Sequence, residues 1–279
     1  MKIALFPRIC EEENKKLALG VIQFFTERNV SVVVEDDKAK PLGMPPFSSV
    51  EPQSISTLVT MGGDGSILRI AHQYSELDAA ILGINLGHLG FMADVQISHM
   101  LPSLDDFLKG NYSIQRRIMI DGISNQSHSF FAINDCVLHR ARNPSLVEIA
   151  IYVDDVLLSH FEADGLIVAT PTGSTAYSLA AGGPILSPEI DAFVLTPICP
   201  HTISYRPIVI HPNQEIRIEY ISQHFPIEFV TDGLHRFEMS PKDYVILKKS
   251  PKTFKLVNLK KNDYFSTLRK KLGWAGKLR

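Results

Sequence analysis

The sequence predicts an α/β N-terminal domain, a mostly β C-terminal domain, and a C-terminal helix that returns to the N-terminal domain. Three observations carry this. Over roughly the first 110 residues, strand-like and helix-like apolar patterns alternate, as in a parallel sheet flanked by helices. After about residue 112, strand-like runs follow one another with little helical periodicity. The last segment regains helical spacing, with Phe265, Leu268 and Leu272 on one side.

The elements follow in order. Lys2 to Phe6 reads as a short strand. Leu17, Val21, Ile22, Phe24 and Phe25 recur at near-helical spacing, and Val30 to Val34 is a β-branched strand. Residues 35–56 carry Pro41, Pro45, Pro46 and Pro52 and read as a loop. Thr57 to Met61 is a strand, then a glycine turn, a helix from about Ser66 to Tyr74, and a strand from Ala80 to Asn85. In the second half the strand-like runs are 127–134, 146–153, 156–162, 165–169, 192–197, 215–221, 227–231, 244–249 and 254–258. Asp154-Asp155 between two of them suggests a hairpin. Ser174 to Ala181 is the one helical stretch of this half, and Asp263 to Leu272 forms the terminal helix. The expected domains are 1–110, 111–261 and 262–279.

Composition excludes several classes. With 45% hydrophobic and 21% charged residues in 279, the chain is globular rather than disordered. No apolar run reaches the ~20 residues of a membrane span. The apolar stretch after Met1 is too short for a signal peptide, so a cytoplasmic location is expected. Cys10, Cys136 and Cys199 are odd in number and far apart, unlike a disulfide framework or a zinc cluster. The net charge of −2 hides an asymmetry: residues 248–279 hold 11 Lys and Arg against one acid. Such a terminus can be a nucleic-acid arm. Here the lysines at 248, 249, 252 and 255 are interleaved with apolar residues, and Lys270 and Lys271 sit on the amphipathic helix. The segment therefore reads as strands and a helix that docks on the acidic N-terminal half, with no nucleic-acid role.

Three segments could carry chemistry. The sharpest is Met61-Gly62-Gly63-Asp64-Gly65-Ser66, after an apolar strand and before a helix. Its glycines allow close backbone approach, and N–H groups at a helix start favour phosphate. Asp64 would repel phosphate, so it needs another task, metal ligation or accepting a proton from a hydroxyl; the plainer alternative is a tight turn with Asp64 as N-cap. The segment is neither a Walker A loop nor a GxGxxG fingerprint. The second is Gly83-Ile84-Asn85-Leu86-Gly87-His88-Leu89-Gly90-Phe91, which places another loop at the carboxyl edge of the sheet, where ligands bind; His88 is a candidate polar contact, and ordinary turns are the alternative. The third runs from Asp164 through Thr170-Pro171-Thr172-Gly173-Ser174-Thr175-Ala176-Tyr177-Ser178 to Gly182-Gly183-Pro184. Its hydroxyls could hold a phosphate or ribose, Tyr177 could stack on a base, and a capped helix is the bland reading. Asn134-Asp135 suits ribose hydroxyls or an adenine edge, or is a simple turn.

Taken together, Gly62-Gly63-Asp64-Gly65, Gly83 to Phe91, Asn134-Asp135, Asp164 to Pro184 and the ending Tyr264 to Trp274 resemble the NAD kinase family over nearly the whole chain. Gly-Gly-Asp-Gly alone is shared with diacylglycerol kinases, sphingosine kinases and phosphofructokinases; the third segment narrows the match. The resemblance implies transfer of the ATP γ-phosphoryl group to the 2′-hydroxyl of the adenosine ribose of NAD, giving NADP. It implies a β-sandwich as the second domain, a divalent cation such as Mg²⁺, and a homodimer or homotetramer. By the same resemblance Asp64 is the proton acceptor, Gly62, Gly63 and Gly65 form the phosphate loop, and Arg69 contacts phosphate. Asn134 and Asp135 hold the adenosine portion. Glu162, Asp164, Thr172 and Thr175, Ala176, Tyr177, Ser178, Leu179 and Ala180 complete the NAD site. No protein metal ligand is assigned. The chain departs from the family twice: Asp135 stands where Glu is usual, and Leu234 follows Asp232-Gly233 where Gln is frequent. A lipid or sugar kinase sharing the glycine motif, and a non-catalytic dinucleotide-binding protein, are the rival classes.

Overall fold

In a computed structural model of the chain, the described residues are 1–87, 90–93, 95–202, 204–222, 225–259 and 264–274. His88 and Leu89 of the second glycine segment, and Asp263 of the expected terminal helix, lie outside them. The chain divides into two compact units: Met1–Arg116 with Lys255–Arg279, and Arg117–Phe254.

The first unit is a doubly wound α/β layer. It runs β1 (Lys2–Pro7), α1 (Glu12–Thr26), β2 (Ser31–Val34), α2 (Asp36–Leu42), β3 (Thr57–Gly62), α3 (Asp64–Gln73), β4 (Ala80–Asn85), β5 (Val95–Gln96) and α4 (Met100–Leu108). The strands are parallel in the order β2-β1-β3-β4, with β5 on the far side of β4. Every residue of β3 is buried, Thr57 and Thr60 included, as expected of a central parallel strand covered on both faces. Ile3, Leu5, Val59, Met61, Leu82 and Ile84 from the strands meet Val21 and Phe25 of α1 and Leu104 and Phe107 of α4 in one core. β1 leads through α1 to β2 on one side, and the chain then crosses to β3 on the other. The carboxyl ends of β1 and β3 therefore form a switch point, the place where open α/β sheets bind ligands.

The expected loop at 35–56 contains a helix. Asp36 and Asp37 occupy the first turn of α2, where their charges favour the helix N-terminus. Gly43, at φ +64°, ends it, and the Met44 N–H reaches back to the Ala39 carbonyl at 3.1 Å.

Among its described residues the second unit is β-stranded apart from a short helical stretch after β11. Its elements are β6 (Ser113–Ser124), which enters from the first unit, β7 (Ser129–Ala132), β8 (Asp135–His139), β9 (Val147–Val153), β10 (Val156–Ala163), β11 (Gly165–Ala169), α5 (Tyr177–Ala180), β12 (Phe193–Ile198), β13 (Ile208–Ile210), β14 (Ile216–Tyr220), β15 (Ile227–Thr231), β16 (His235–Met239) and β17 (Tyr244–Asn258). One antiparallel sheet has the order β13-β12-β11-β8-β15-β16, and β10-β9-β14-β17 run side by side in the other. Residues of both meet in one core: Leu138, Leu166, Val168, Phe193 and Phe229 against Ile149, Ile151, Ile216, Ile218 and Leu247. This is the β-sandwich. Alternation along β11 sends Ile167 and Ala169 to the opposite face of the sheet, where they join Val137 against Ala181 and Ile198. Asp154 and Asp155, at φ +50° and +62°, form the hairpin turn between β9 and β10.

The runs 244–249 and 254–258 are one strand, β17. Three of its four lysines are paired with acids: Lys248 with Glu215 at 2.6 Å, Lys249 with Asp191 at 2.5 Å, and Lys255 with Asp78. Its last residues belong to the first unit, where Leu256 pairs with Ile81 of β4. Helix α6 (Tyr264–Leu272) follows in the same unit. There Leu268 is buried, the Tyr264 ring lies 6.1 Å from that of Phe91, and Lys271 Nζ stands 4.6 Å over the same ring.

Truncating Leu268 should loosen this contact. Burial of a leucine in a terminal helix predicts that Leu268→Ala costs about 2 kcal/mol and lowers the apparent Tm by about 4–8 °C in a thermal melt. An unchanged Tm would show that α6 does not depend on this anchor.

Candidate active site

In the first unit the glycine loop links β3 to α3. Gly63 takes the N-cap position and Asp64 is the first helical residue, with no side-chain cap bond. The capping alternative is thereby excluded: the carboxylate of Asp64 turns to the second glycine segment. Oδ2 accepts the N–H of Phe91 at 2.7 Å, and Oδ1 accepts those of Met92 at 3.0 Å and Ala93 at 3.2 Å. A Cβ at Gly90 would stand 2.1 Å from Asp64 Oδ1, so only glycine permits this approach. Asn85 shapes the start of the same segment, its Oδ1 accepting the Gly87 N–H at 3.0 Å. The two loops that the sequence singled out separately are thus one structure joined at Asp64.

Arg69 goes elsewhere. Five residues along a helix turn it well away from the face of Asp64, and its Nη1 pairs with Glu35 Oε1 at 2.7 Å.

In the second unit, Asn134 and Asp135 stand at the start of β8, beside the end of β11, where Ala169 pairs with Asp135. The turn after β11 is pinned to them. Thr170 N–H donates to the Asn134 carbonyl at 2.8 Å, and Thr170 Oγ1 donates to the Ile133 carbonyl at 2.6 Å. Gly173 lies so close that a Cβ there would meet the Asn134 carbonyl oxygen at 2.0 Å. A cleft of about 310 Å³ opens beside this cluster, bordered by Asn134, Asp135, His139, Ala176, Tyr177 and Asp232. Tyr177 is largely exposed at its rim. Asn134 Oδ1 is buried without a hydrogen-bond partner among the described residues, a group that a bound donor would satisfy. Burial, and then the charge of Asp232, pushes the Asp135 carboxyl up to about 7.

The remaining nominated residues divide. Thr172 is buried at the same turn, with Arg117 Nη1 3.4 Å from its hydroxyl. Thr175 Oγ1 donates to the Thr172 carbonyl at 3.2 Å. Ser178 is buried and bonded to Thr196 at 2.8 Å, so its hydroxyl is committed to the fold. Leu179 is half-buried and Ala180 exposed on α5. Asp164 lies at the opposite end of β11 from Thr170, roughly 20 Å away at strand spacing, and pairs with Arg140 Nε at 3.0 Å. Glu162 is exposed on β10 opposite Glu148. The chain therefore does not gather Glu162 and Asp164 with Asn134 and Thr172. Asp232 and His139 border the cleft without having been nominated. Asp232 and Gly233 form the turn between β15 and β16, and the pairing of β15 with β8 brings that turn to Asn134.

An anchored carboxylate on glycine loops, with no cysteine or histidine nucleophile beside it among the described residues, suits a phosphotransferase, in which the protein positions and neutralises rather than attacks. The family comparisons agree, because the models described as "ATP-NAD kinase N-terminal domain" and "ATP-NAD kinase C-terminal domain" match residues 3–112 and 133–259. The chain belongs to the ATP-NAD kinase family. It is 50% identical over 277 residues to the NAD kinase of Protochlamydia amoebophila, covering 99% of each. It is 35% identical over 280 residues to that of Moorella thermoacetica, covering 99% of this chain and 90% of the relative. Among solved structures, yeast NADH kinase complexed with NADH superposes with a TM-score of 0.88 at 24% identity, covering 100% of this chain and 89% of that one. An NAD kinase from Archaeoglobus fulgidus in complex with ATP gives 0.79 at 22% identity, covering 99% and 100%. At these identities the two structures speak for the fold.

The environment of Asp135 has a measurable consequence. Its folded-state value lies above the ~3.9 of an unfolded aspartate, so its contribution to stability is full below pH 4 and is lost as pH rises through about 7. Asp135→Asn should therefore be more stable than the wild type at pH 8, by on the order of 4 kcal/mol, and close to it at pH 4. Urea unfolding at the two pH values reads the difference; the same gap at both would refute the assignment.

Proposed function

We propose that the chain transfers the γ-phosphoryl group of ATP to the 2′-hydroxyl of the adenosine ribose of NAD, forming NADP. The observation that carries this reading is the anchored carboxylate of Asp64. A ribose hydroxyl is a weak nucleophile at neutral pH and needs a positioned acceptor for its proton as the new P–O bond forms. A carboxylate offers about four lone-pair sites. Three are taken by the N–H groups of Phe91, Met92 and Ala93, two on Oδ1 and one on Oδ2. Counting the donors among the described residues, one site on Oδ2 is left for the substrate hydroxyl, and the side chain is already fixed.

In this reading Asn134 and Asp135 bind the adenosine portion of NAD, Tyr177 stacks at the rim of the cleft, and Thr172 with the backbone of residues 173–176 lines it. Glu162 and Asp164 retain their nominated role only if another copy of the chain supplies them, which a homodimer or homotetramer would allow. Arg69 would have to leave Glu35 to reach a phosphate. Among the described residues no three His, Cys, Asp or Glu side chains converge as a metal cage. Mg²⁺ carried in on the phosphates of ATP would neutralise charge on the transferred group. Among the described residues no helix is long and apolar enough to cross a membrane, and we place the enzyme in the cytoplasm.

Purified protein given NAD, ATP and Mg²⁺ should form NADP. Asp64→Asn should lower kcat by about 10²–10⁴-fold while NAD still binds. Full activity in that variant would remove Asp64 as the base. Phosphorylation of diacylglycerol, sphingosine or a sugar with NAD ignored would overturn the substrate assignment.

A further inference from the structure

The turn between β15 and β16 holds a second anchored carboxylate. Asp232 Oδ2 accepts the N–H of Ile133 at 2.7 Å, and Oδ1 accepts those of Asn134 at 2.7 Å and Asp135 at 3.0 Å. The attachment is reciprocal, because the Asp232 N–H donates to the Asp135 carbonyl at 2.9 Å. Three successive N–H groups converging on one anion form a nest. Asp232 and Gly233 have φ of +50° and +68°, and the Leu234 N–H closes the turn on the Thr231 carbonyl at 2.9 Å. Asn-Gly would serve such a turn equally well. The turn alone therefore does not account for a carboxylate aimed at the next segment of the sheet.

We propose that Asp232 is a positioning residue for NAD: by fixing the backbone of residues 133–135 it aims the side chains of Asn134 and Asp135 into the cleft. The proposal rests on the reading of that cleft as the adenosine site. Its geometry has two consequences. Asn134 borders the cleft, and its Oδ1, buried and without a partner among the described residues, would be satisfied by a bound donor. Burial, and then the charge of Asp232 beside it, keep the proton on Asp135 to about pH 7, so its carboxyl can donate as well as accept. The other titratable groups bordering the cleft are Tyr177 from α5 and His139 from the far end of β8; no Lys or Arg borders it among the described residues. Asp232 is thus the charge that governs Asp135.

The test compares wild type, Asp232→Ala and Asp232→Asn by KM for NAD, KM for ATP and kcat across pH 6–8.5, with thermal melts to verify folding. Asp232→Ala should raise KM for NAD about tenfold or more and leave KM for ATP within about twofold. Asp232→Asn keeps an acceptor for two of the three N–H groups and should restore most of the loss. In the wild type, KM for NAD should rise as pH passes about 7; in Asp232→Asn, without the neighbouring charge, that rise should begin at lower pH. An unchanged KM for NAD in a folded Asp232→Ala, or a pH profile of Asp232→Asn that overlays the wild type, overturns the proposal. Should Asp232→Ala not fold, the Asp232→Asn profile decides. A wild type that forms no NADP indicts the kinase reading instead, and the same comparison is then made on the Kd for NAD.

Discussion

The candidate site depends on a carboxylate seated in consecutive backbone N–H groups. Asp64 receives the N–H groups of residues 91, 92 and 93. Bonds of this kind to a charged acceptor contribute about 1.5–3 kcal/mol each, and together they join two loops that leave neighbouring strands of one parallel sheet. Gly90 makes room for the carboxylate. Phe91, whose N–H is one of the three donors, carries Tyr264 and Lys271 of α6 against its ring. A helix at the far end of the sequence thus braces the loop that holds the candidate base.

The second unit uses the same device. Asp232 seats its carboxylate in the N–H groups of residues 133, 134 and 135. The sandwich supplies the frame: its inner faces bury a continuous apolar core, and β8 and β15, paired side by side, bring the Asp232 turn to Asn134. Leaving a buried donor or acceptor unpaired costs about 1–3 kcal/mol. In the proposed reading a donor on the adenosine satisfies Asn134 Oδ1, which has no partner among the described residues.

The charge asymmetry has a plain structural account. Three of the four lysines on β17 are paired with Glu215, Asp191 and Asp78, acids remote in sequence. Exposed pairs of this kind add little stability, but they show a strand studded with lysines rather than a free cationic arm.

Much of this was legible from the residues alone. Period and composition predicted β1, β3, β4, β11 and β15 to within a residue, since buried parallel strands and sandwich strands write their burial directly into an apolar or alternating run. They did not find β6, where Arg116, Arg117 and Asp121 interrupt the run although Arg117 is buried. They did not find α2 either, because prolines outweighed the acidic first turn. The glycine loops, Asn134-Asp135 and Thr172 were visible as clusters of residue types that chemistry requires at strand ends. What Asp64 holds, the role of Asp232, and the distance of Asp164 and Glu162 from Asn134 were not visible. Sequence determines local conformation and which residue types are available. Which carboxylate meets which N–H groups is decided by strand order and register, and these join residues as far apart as 133 and 232.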